Sequence, residues 1–400
     1  MTGRDADPVV VVGGGLAAVS FAGSLRRGGF AGPLAMVCDE AERAYDRPPL
    51  SKAFIVDGDA DRIRLDDRAL TDVQWHRGRR AQAIDLAAHR LQLDDGQQLP
   101  WGTLVLATGT RPRELPALAA LQRPVLTLRT LADARRIREL LQPGRHLLLV
   151  GAGVIGLELA ATARGLGVDV SVVEAQPRVM ARGVPPRLSQ FMQQQHRDAG
   201  VNLHLGRAIS GCEAGAVLLD DGHRIEADAV VVGIGVVAND ELASQAGLRC
   251  DDGVFVDSHG RSSAPGVLAV GDVARQVHPI SGQVMRIETW SNAQNQATAA
   301  ALSWLQADAA PYTEAPWYWS DQYRLRLQSV GLVCGQREVL RGDPAAGRFT
   351  LLQFDGARLV GAACINNAKD FGALRKIVGR EFQVSDAQWQ DPATDLRRLA

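Results

Sequence analysis

Two glycine motifs, each set between an apolar strand and a helix, constrain this chain more than any other feature. The first reads Gly13-Gly14-Gly15-Leu16-Ala17-Ala18, a GxGxxA pattern directly after the four valines Val9 to Val12. β-Branched runs of this kind suit a strand buried on both faces of a parallel sheet. Val19 to Leu25 then has helical character, and Leu34 to Cys38 reads as a second strand. The second motif, Gly151-Ala152-Gly153-Val154-Ile155-Gly156, is a complete GxGxxG. It follows the apolar strand Leu147 to Val150 and precedes the helical stretch Leu157 to Ala163. The next strand, Val168 to Val173, ends in Glu174. A glycine turn between strand and helix lets a pyrophosphate approach bare backbone, facing free N–H groups and the positive end of the helix dipole. Two such turns a domain length apart predict two dinucleotide-binding folds, not a solenoid.

A carboxylate at the end of the second strand accepts hydrogen bonds from the adenosine ribose. Glu174 stands close to the usual spacing and repels a 2′-phosphate, which favours NADH over NADPH; Arg178 and Arg182 nearby soften that preference. In the first fold Cys38 holds the corresponding position, with Asp39 and Glu40 after it, and Asp39 is the expected ribose ligand. Two more strand ends stand out: Leu104 to Gly109, closing in Ala107-Thr108-Gly109, and Val267 to Asp272, closing in Gly271-Asp272. Asp272 either points into a ligand crevice or caps the segment that follows.

Four hundred residues exceed one typical core, so two or three domains are expected. A formal charge of −1 gives no global basic field for nucleic acid. Cys38, Cys212, Cys250, Cys334 and Cys364 contain no CxxC pair, which argues against a disulfide framework or a structural zinc site. The opening MTGRDADP lacks the layout of a secretory leader, and no apolar run reaches the roughly 20 residues of a membrane span. A cytoplasmic protein is expected. Lysine occurs only at positions 52, 369 and 376, so each is a candidate for a special role. The chain is 5% aromatic, yet Pro316-Trp317-Tyr318-Trp319 is dense in rings. The stretches Leu325 to Leu332, Arg348 to Phe354 and Leu359 to Ile365, with the turn Asp355-Gly356, predict an antiparallel sheet closed by a helix near Asp370 to Val378.

Together the two glycine motifs and the closing segments resemble the pyridine nucleotide–disulfide reductase superfamily, with its glutathione-reductase fold. Three longer stretches narrow the likeness: Tyr45-Asp46-Arg47-Pro48-Pro49-Leu50-Ser51-Lys52, Arg286-Ile287-Glu288-Thr289-Trp290-Ser291-Asn292-Ala293 and Pro316-Trp317-Tyr318-Trp319-Ser320-Asp321-Gln322. They are similar to the ferredoxin reductase components of bacterial aromatic-ring dioxygenases of the biphenyl type, as is Asp391-Pro392-Ala393-Thr394-Asp395-Leu396-Arg397. Putidaredoxin reductase is a more distant relative. The resemblance implies an α/β fold of two nested Rossmann-like domains for FAD and NAD plus a C-terminal α+β domain. The expected division is 7–112 and 238–312 for FAD, 113–237 for NAD and 313–400 for the C-terminal domain. It also implies a hydride taken from NADH onto FAD, with electrons then passed singly to a Rieske-type [2Fe–2S] ferredoxin. Where disulfide reductases carry a redox cysteine pair, this chain has Arg47-Pro48-Pro49-Leu50-Ser51-Lys52, so a dithiol exit is closed. An NADH oxidase or peroxidase is the alternative, as is a reductase of a monooxygenase system.

The resemblance carries over residue by residue. The catalytic candidates are Lys52 and Glu158, expected to meet near flavin N5 where the lysine stabilises electron density and the carboxylate keeps it charged; the alternative is an ordinary surface pair. FAD is expected on Gly13, Gly15, Leu16, Ala17, Ala18, Asp39, Glu40, Arg47, Lys52, Ala81, Ala107, Thr108, Gly109, Arg129, Gly271, Asp272, Glu288, Thr289, Trp290 and Trp319. NAD is expected on Gly151, Gly153, Val154, Ile155, Gly156, Glu158, Glu174, Arg182 and Gly235. The helix from about Ser291 to Leu305 should aim its positive end at the flavin. Trp290 serves the ring or fills core; Trp319 covers the flavin or packs an interface. Arg129 either contacts FAD or is solvated or in an interdomain salt bridge, and Arg47 and Arg111 either meet FAD phosphate or ring oxygens or are surface arginines. Arg324, Arg326, Arg375, Lys376 and Arg380 make either a basic face for an acidic ferredoxin or solvated charge.

Overall fold

The computed structural model describes residues 7–213, 215–306 and 308–399, so most of the N-terminal stretch read for a leader lies outside the described residues. The chain forms two compact units: the residues up to Asp46 with Asp61–Arg111 and Val237–Pro316, and Arg47–Ala60 with Pro112–Val236 and the residues from Trp317 onward.

The first unit is built on a parallel sheet in the order Val267–Ala269, Thr103–Leu106, Val9–Val12, Leu34–Cys38, Gln74–Arg77. Side chains alternate across a strand. Val9 and Val11 therefore enter a cluster with Phe21, Leu25, Ala297 and Ala301, while Val10 and Val12 enter another with Leu91, Leu93, Leu104 and Val273. Both faces are covered, which is why the strand can be valine throughout. The helices Leu16–Arg27 and Trp290–Leu305 pack on the first face, and the antiparallel strands Ala81–Asp85, Arg90–Leu93 and Gln98–Pro100 supply much of the second.

The second unit repeats the parallel plan in the order Asn202–Leu205, Asp169–Glu174, His146–Val150, Ala229–Val232, Val125–Leu126. The helix Val154–Gly165 follows its central strand. From Trp317 the same unit continues as an antiparallel sheet, Trp317–Gln322, Leu325–Gly331, Arg358–Ile365, Arg348–Asp355, Arg337–Asp343, closed by the helix Ala368–Ile377. The expected strands and helix here are present, with ends moved by a residue or two. The strands Trp317–Gln322 and Arg337–Asp343 were not anticipated. In the second of these Arg341 points inward, and its guanidinium donates to Asp370 at 2.7 Å and to the carbonyls of Trp389, Asp391, Pro392 and Thr394. This ties the Asp391–Thr394 stretch to the sheet.

Candidate functional site

In the first unit, Gly13 has φ +134°, and a Cβ there would overlap the Ala107 carbonyl. Gly15 precedes the helix Leu16–Arg27 in extended conformation and gives its first turn no side-chain cap, so the N–H groups of that turn are open to an anion. Ala17 lies against a further glycine: a Cβ on Gly271 (φ +76°) would stand 2.7 Å from the Ala17 Cβ. Gly271 also donates its N–H to Gln296 Oε1 at 2.7 Å, and Asp272 follows in a short 3-10 turn. The result is a backbone cradle that only glycine can line, and it fits a pyrophosphate.

The strand end beside this cradle differs between the folds. Gly13 donates to Val37 O and Gly151 to Val173 O, both at 2.7 Å, so Cys38 and Glu174 are equivalent positions. Cys38 packs under Gly14, donates to Glu40 O at 3.3 Å, and has its thiol pushed up to about 11 by burial. Asp39 is exposed, 3.7 Å from Arg80, and the Glu40 carboxylate accepts from the Tyr45 hydroxyl. Thr108 and Asn239 exchange hydrogen bonds of 2.7 and 2.9 Å, holding the Ala107-Thr108-Gly109 turn. Ala81 opens its strand, half-buried.

Glu288 pairs at 2.6 Å with Arg286, whose guanidinium is itself buried. Thr289 caps the helix Trp290–Leu305 by accepting from Asn292 N at 3.1 Å, so one first-turn N–H is already satisfied. The Trp290 indole N–H donates to Asp46 Oδ1 at 2.8 Å, which pins the Tyr45-Asp46 stretch. Arg111 lies 2.6 Å from Glu241 and 3.0 Å from Asn239 Oδ1.

In the second unit Gly151 (φ +102°) would collide with the Gly233 carbonyl if it carried a Cβ, and a Cβ on Gly156 would sit 2.5 Å from Gly151 O. Gly153 leaves the helix Val154–Gly165 without a side-chain cap, and Ile155 is exposed on its first turn. Glu174 accepts from Ala152 N–H at 2.7 Å and Gln176 N–H at 2.8 Å, which braces the glycine loop. Each carboxylate oxygen has further acceptor capacity, so the loop fits the ribose and pyrophosphate of a dinucleotide. Arg178 donates to Val184 O and Ala181 O, so its guanidinium is already engaged. Arg182 is exposed and approaches Gly235 (φ +103°). Asp133 accepts from Arg129 N–H at 3.1 Å and Thr130 N–H at 2.9 Å.

Lys52 and Glu158 meet within this unit. Pro48 and Pro49 start the 3-10 turn Pro48–Ser51, and Lys52 follows it directly. Its Nζ donates to Glu158 Oε2 at 2.6 Å, with Glu158 only 3% exposed. Ser51 Oγ donates to the same oxygen at 2.5 Å, and Ser320 Oγ to Oε1 at 2.8 Å. Thr162 Oγ1 donates to Ser51 O at 2.8 Å, locking the turn to the helix. This is a desolvated pair with its acceptor oxygens satisfied, not a surface contact. Sequence reasoning missed the roles of Ser51, Ser320 and Thr162, although Ser51 and Ser320 lie inside the stretches that carried the resemblance. Trp319 is half-buried and 5.9 Å from Trp317, over which Arg375 stacks at 4.3 Å.

The description "Pyridine nucleotide-disulphide oxidoreductase" matches residues 7–297, and "Reductase C-terminal" matches 317–400. The chain belongs to the pyridine nucleotide-disulphide oxidoreductase family. It is 40% identical to the anthranilate 1,2-dioxygenase system ferredoxin–NAD(+) reductase component of Burkholderia cepacia, over 98% of this chain and 99% of that one. It is 37% identical to the p-cumate 2,3-dioxygenase system reductase component of Pseudomonas putida, over the full length of both. Among solved structures, the ferredoxin reductase for the CYP199A2 system of Rhodopseudomonas palustris shares 38% identity with a TM-score of 0.93, covering 98% of this chain and 100% of that one. The reductase–putidaredoxin covalent complex gives 35% identity and a TM-score of 0.93, covering 98% of each chain. The expected family and fold are therefore as read from the sequence. Among the described residues no helix is long and apolar enough to cross a membrane.

Proposed function

We propose that this chain is an NADH-dependent, FAD-containing ferredoxin reductase that feeds an aromatic-ring dioxygenase, with a Rieske-type [2Fe–2S] ferredoxin as electron acceptor. Full-length likeness to two dioxygenase-system reductase components carries this reading. Residues 7–112 and 238–312 serve FAD, 113–237 serve NADH, and 313–400 form the C-terminal domain. A cytoplasmic location suits a partner of this kind.

Bound FAD supplies the conversion of a two-electron donor into single electrons. The chain's own residues position and polarise. Gly13, Gly15, Leu16, Ala17 and Ala18 offer backbone to the FAD pyrophosphate, and Asp39 or Glu40 takes the adenosine ribose. Ala81, Ala107, Thr108, Gly109, Gly271 and Asp272 complete the cradle, with Arg47, Arg129, Glu288, Thr289, Trp290 and Trp319 as further FAD contacts. Gly151, Gly153, Val154, Ile155 and Gly156 offer backbone to the NADH pyrophosphate. Glu174 takes the ribose, and Arg182 and Gly235 border the same loop. Lys52, positioned by Glu158, stabilises negative charge that accumulates during hydride transfer. None of the five cysteines forms a disulfide, and Cys38 is a buried thiol at a strand end, which supports electron exit without a dithiol.

A second acceptor class, a putidaredoxin-type ferredoxin of a monooxygenase system, is favoured by the likeness to the reductase–putidaredoxin complex. The test is anaerobic stopped-flow mixing with NADH, then with either ferredoxin. Flavin bleaching followed by rapid recovery only with the Rieske protein is expected. Recovery with air alone, and none with a ferredoxin, would replace the reading by an NADH oxidase.

A further inference from the structure

Glu158 is the terminus of a hydrogen-bonded chain that reaches the protein surface. Ser320 Oγ donates to Glu158 Oε1 at 2.8 Å, Gln322 Nε2 to Ser320 Oγ at 2.9 Å, His196 Nε2 to Gln322 Oε1 at 2.8 Å, and the Tyr323 hydroxyl to His196 Nδ1 at 2.8 Å. All five residues belong to the second unit. His196 is fully buried and Tyr323 is 40% exposed.

The direction of every bond is fixed by valence. An ionised carboxylate only accepts, so the single Ser320 proton points at Glu158. Ser320 must then accept, which turns the Gln322 amide nitrogen toward it and the amide oxygen toward His196. The imidazole therefore carries its proton on Nε2 and presents the Nδ1 lone pair to Tyr323. Donors all face Glu158, and bonds aligned in this way polarise one another in a low-dielectric interior.

The far end has its own signature. Tyr323 has φ +55°, in the two-residue turn between Gln322 and Leu325. A bulky residue in the left-handed region is strained. The hydroxyl contact and an edge contact between the two rings, 5.0 Å between centroids, hold it there.

We infer that Gln322, His196 and Tyr323 are positioning residues that hold the Glu158 carboxylate aimed at Lys52, so that the lysine's Nζ stays in place during flavin reduction. The chain is not a proton wire, because the Gln322 amide cannot pass a proton without becoming an imidic acid. This inference rests on the role proposed for the Lys52–Glu158 pair.

The test is a double-mutant cycle on the full-length holoenzyme, read as the limiting rate of flavin reduction by NADH and the apparent NADH Kd. Gln322→Leu removes the donor that orients Ser320 and is expected to lower the limiting rate about fivefold, the size of a typical net hydrogen bond, and to leave Kd within about twofold. In a Glu158→Gln background the same substitution should change nothing further. His196→Gln, which keeps one donor and one acceptor, should retain the rate that His196→Leu loses. This control distinguishes the chain from general packing, and flavin content and melting temperature verify folding of each variant. An equal loss in both backgrounds would overturn the inference, as would no loss at all. If Glu158→Gln itself leaves the rate unaltered, the role of the charged pair falls and this inference falls with it. If Glu158 matters and Gln322 does not, only this inference fails.

Discussion

At the scale of single residues, the site depends on what cannot be changed without collision or loss of charge. Gly271 has φ +76°, and a Cβ would stand 2.7 Å from Ala17. Gly271→Ala should therefore cost about 1–3 kcal/mol and lower FAD retention, measured by melting temperature and by flavin absorbance per protein. Glu158→Gln keeps volume and removes charge. It should slow flavin reduction by NADH by about 10²-fold, whereas an unaltered rate would demote the pair to scaffolding. Much at this scale was legible, because a glycine that must be glycine declares itself in a motif. Glu174 was readable from its spacing. Cys38 was noticed as a departure, and its equivalence to Glu174 is visible only in the paired loop bonds of Gly13 and Gly151. Gln322 and His196 were not legible as partners of Glu158, since nothing local connects a strand residue, a helix residue and a carboxylate far away in sequence.

At the scale of elements, alternation and burial decided what could be read. The Val9–Val12 strand was plain because both of its faces are covered. The Arg337–Asp343 strand was hidden because an arginine occupies an inward position, and only its partners make that position tolerable. On the helix Pro186–Asp198, Leu188, Met192 and His196 form one buried stripe, so the histidine reads as core. Burial lowers the pKa of His196. A base with a depressed folded pKa gives stability that is complete above its unfolded value, about 6.5, and is lost as pH falls below it. His204 and His278 are lowered in the same direction, mainly by burial. The expected result is a urea midpoint that declines between pH 7 and pH 5, with a smaller decline in His196→Gln. Parallel declines in the two proteins would contradict it.

At the scale of the whole molecule, the chain carries two parallel sheets of nucleotide-fold type and a C-terminal antiparallel sheet. Their existence was legible from repeated motifs. The grouping of Arg47–Ala60 with Pro112–Val236 was not, since it is long-range. Arg324, Arg326, Arg375, Lys376 and Arg380 are all exposed. If they receive an acidic ferredoxin, its reduction should slow steeply as salt rises from about 50 to 300 mM, while NADH reduction of a small neutral acceptor should not. Charge reversal at Arg324 and Arg326 should raise the KM for ferredoxin alone. A salt-independent ferredoxin rate would move the docking surface elsewhere.

The buried Arg341 has a consequence for truncation. Its guanidinium is neutralised by Asp370 but needs the carbonyls of 389, 391, 392 and 394 to satisfy its remaining donors. Those carbonyls lie 48 to 53 residues later in the chain. Without them, closing the sheet would bury a guanidinium with donors unsatisfied, which costs several kcal/mol. A chain cut before residue 389 should leave the sheet unclosed and be degraded quickly, so the arginine and the 389–394 stretch stand or fall together.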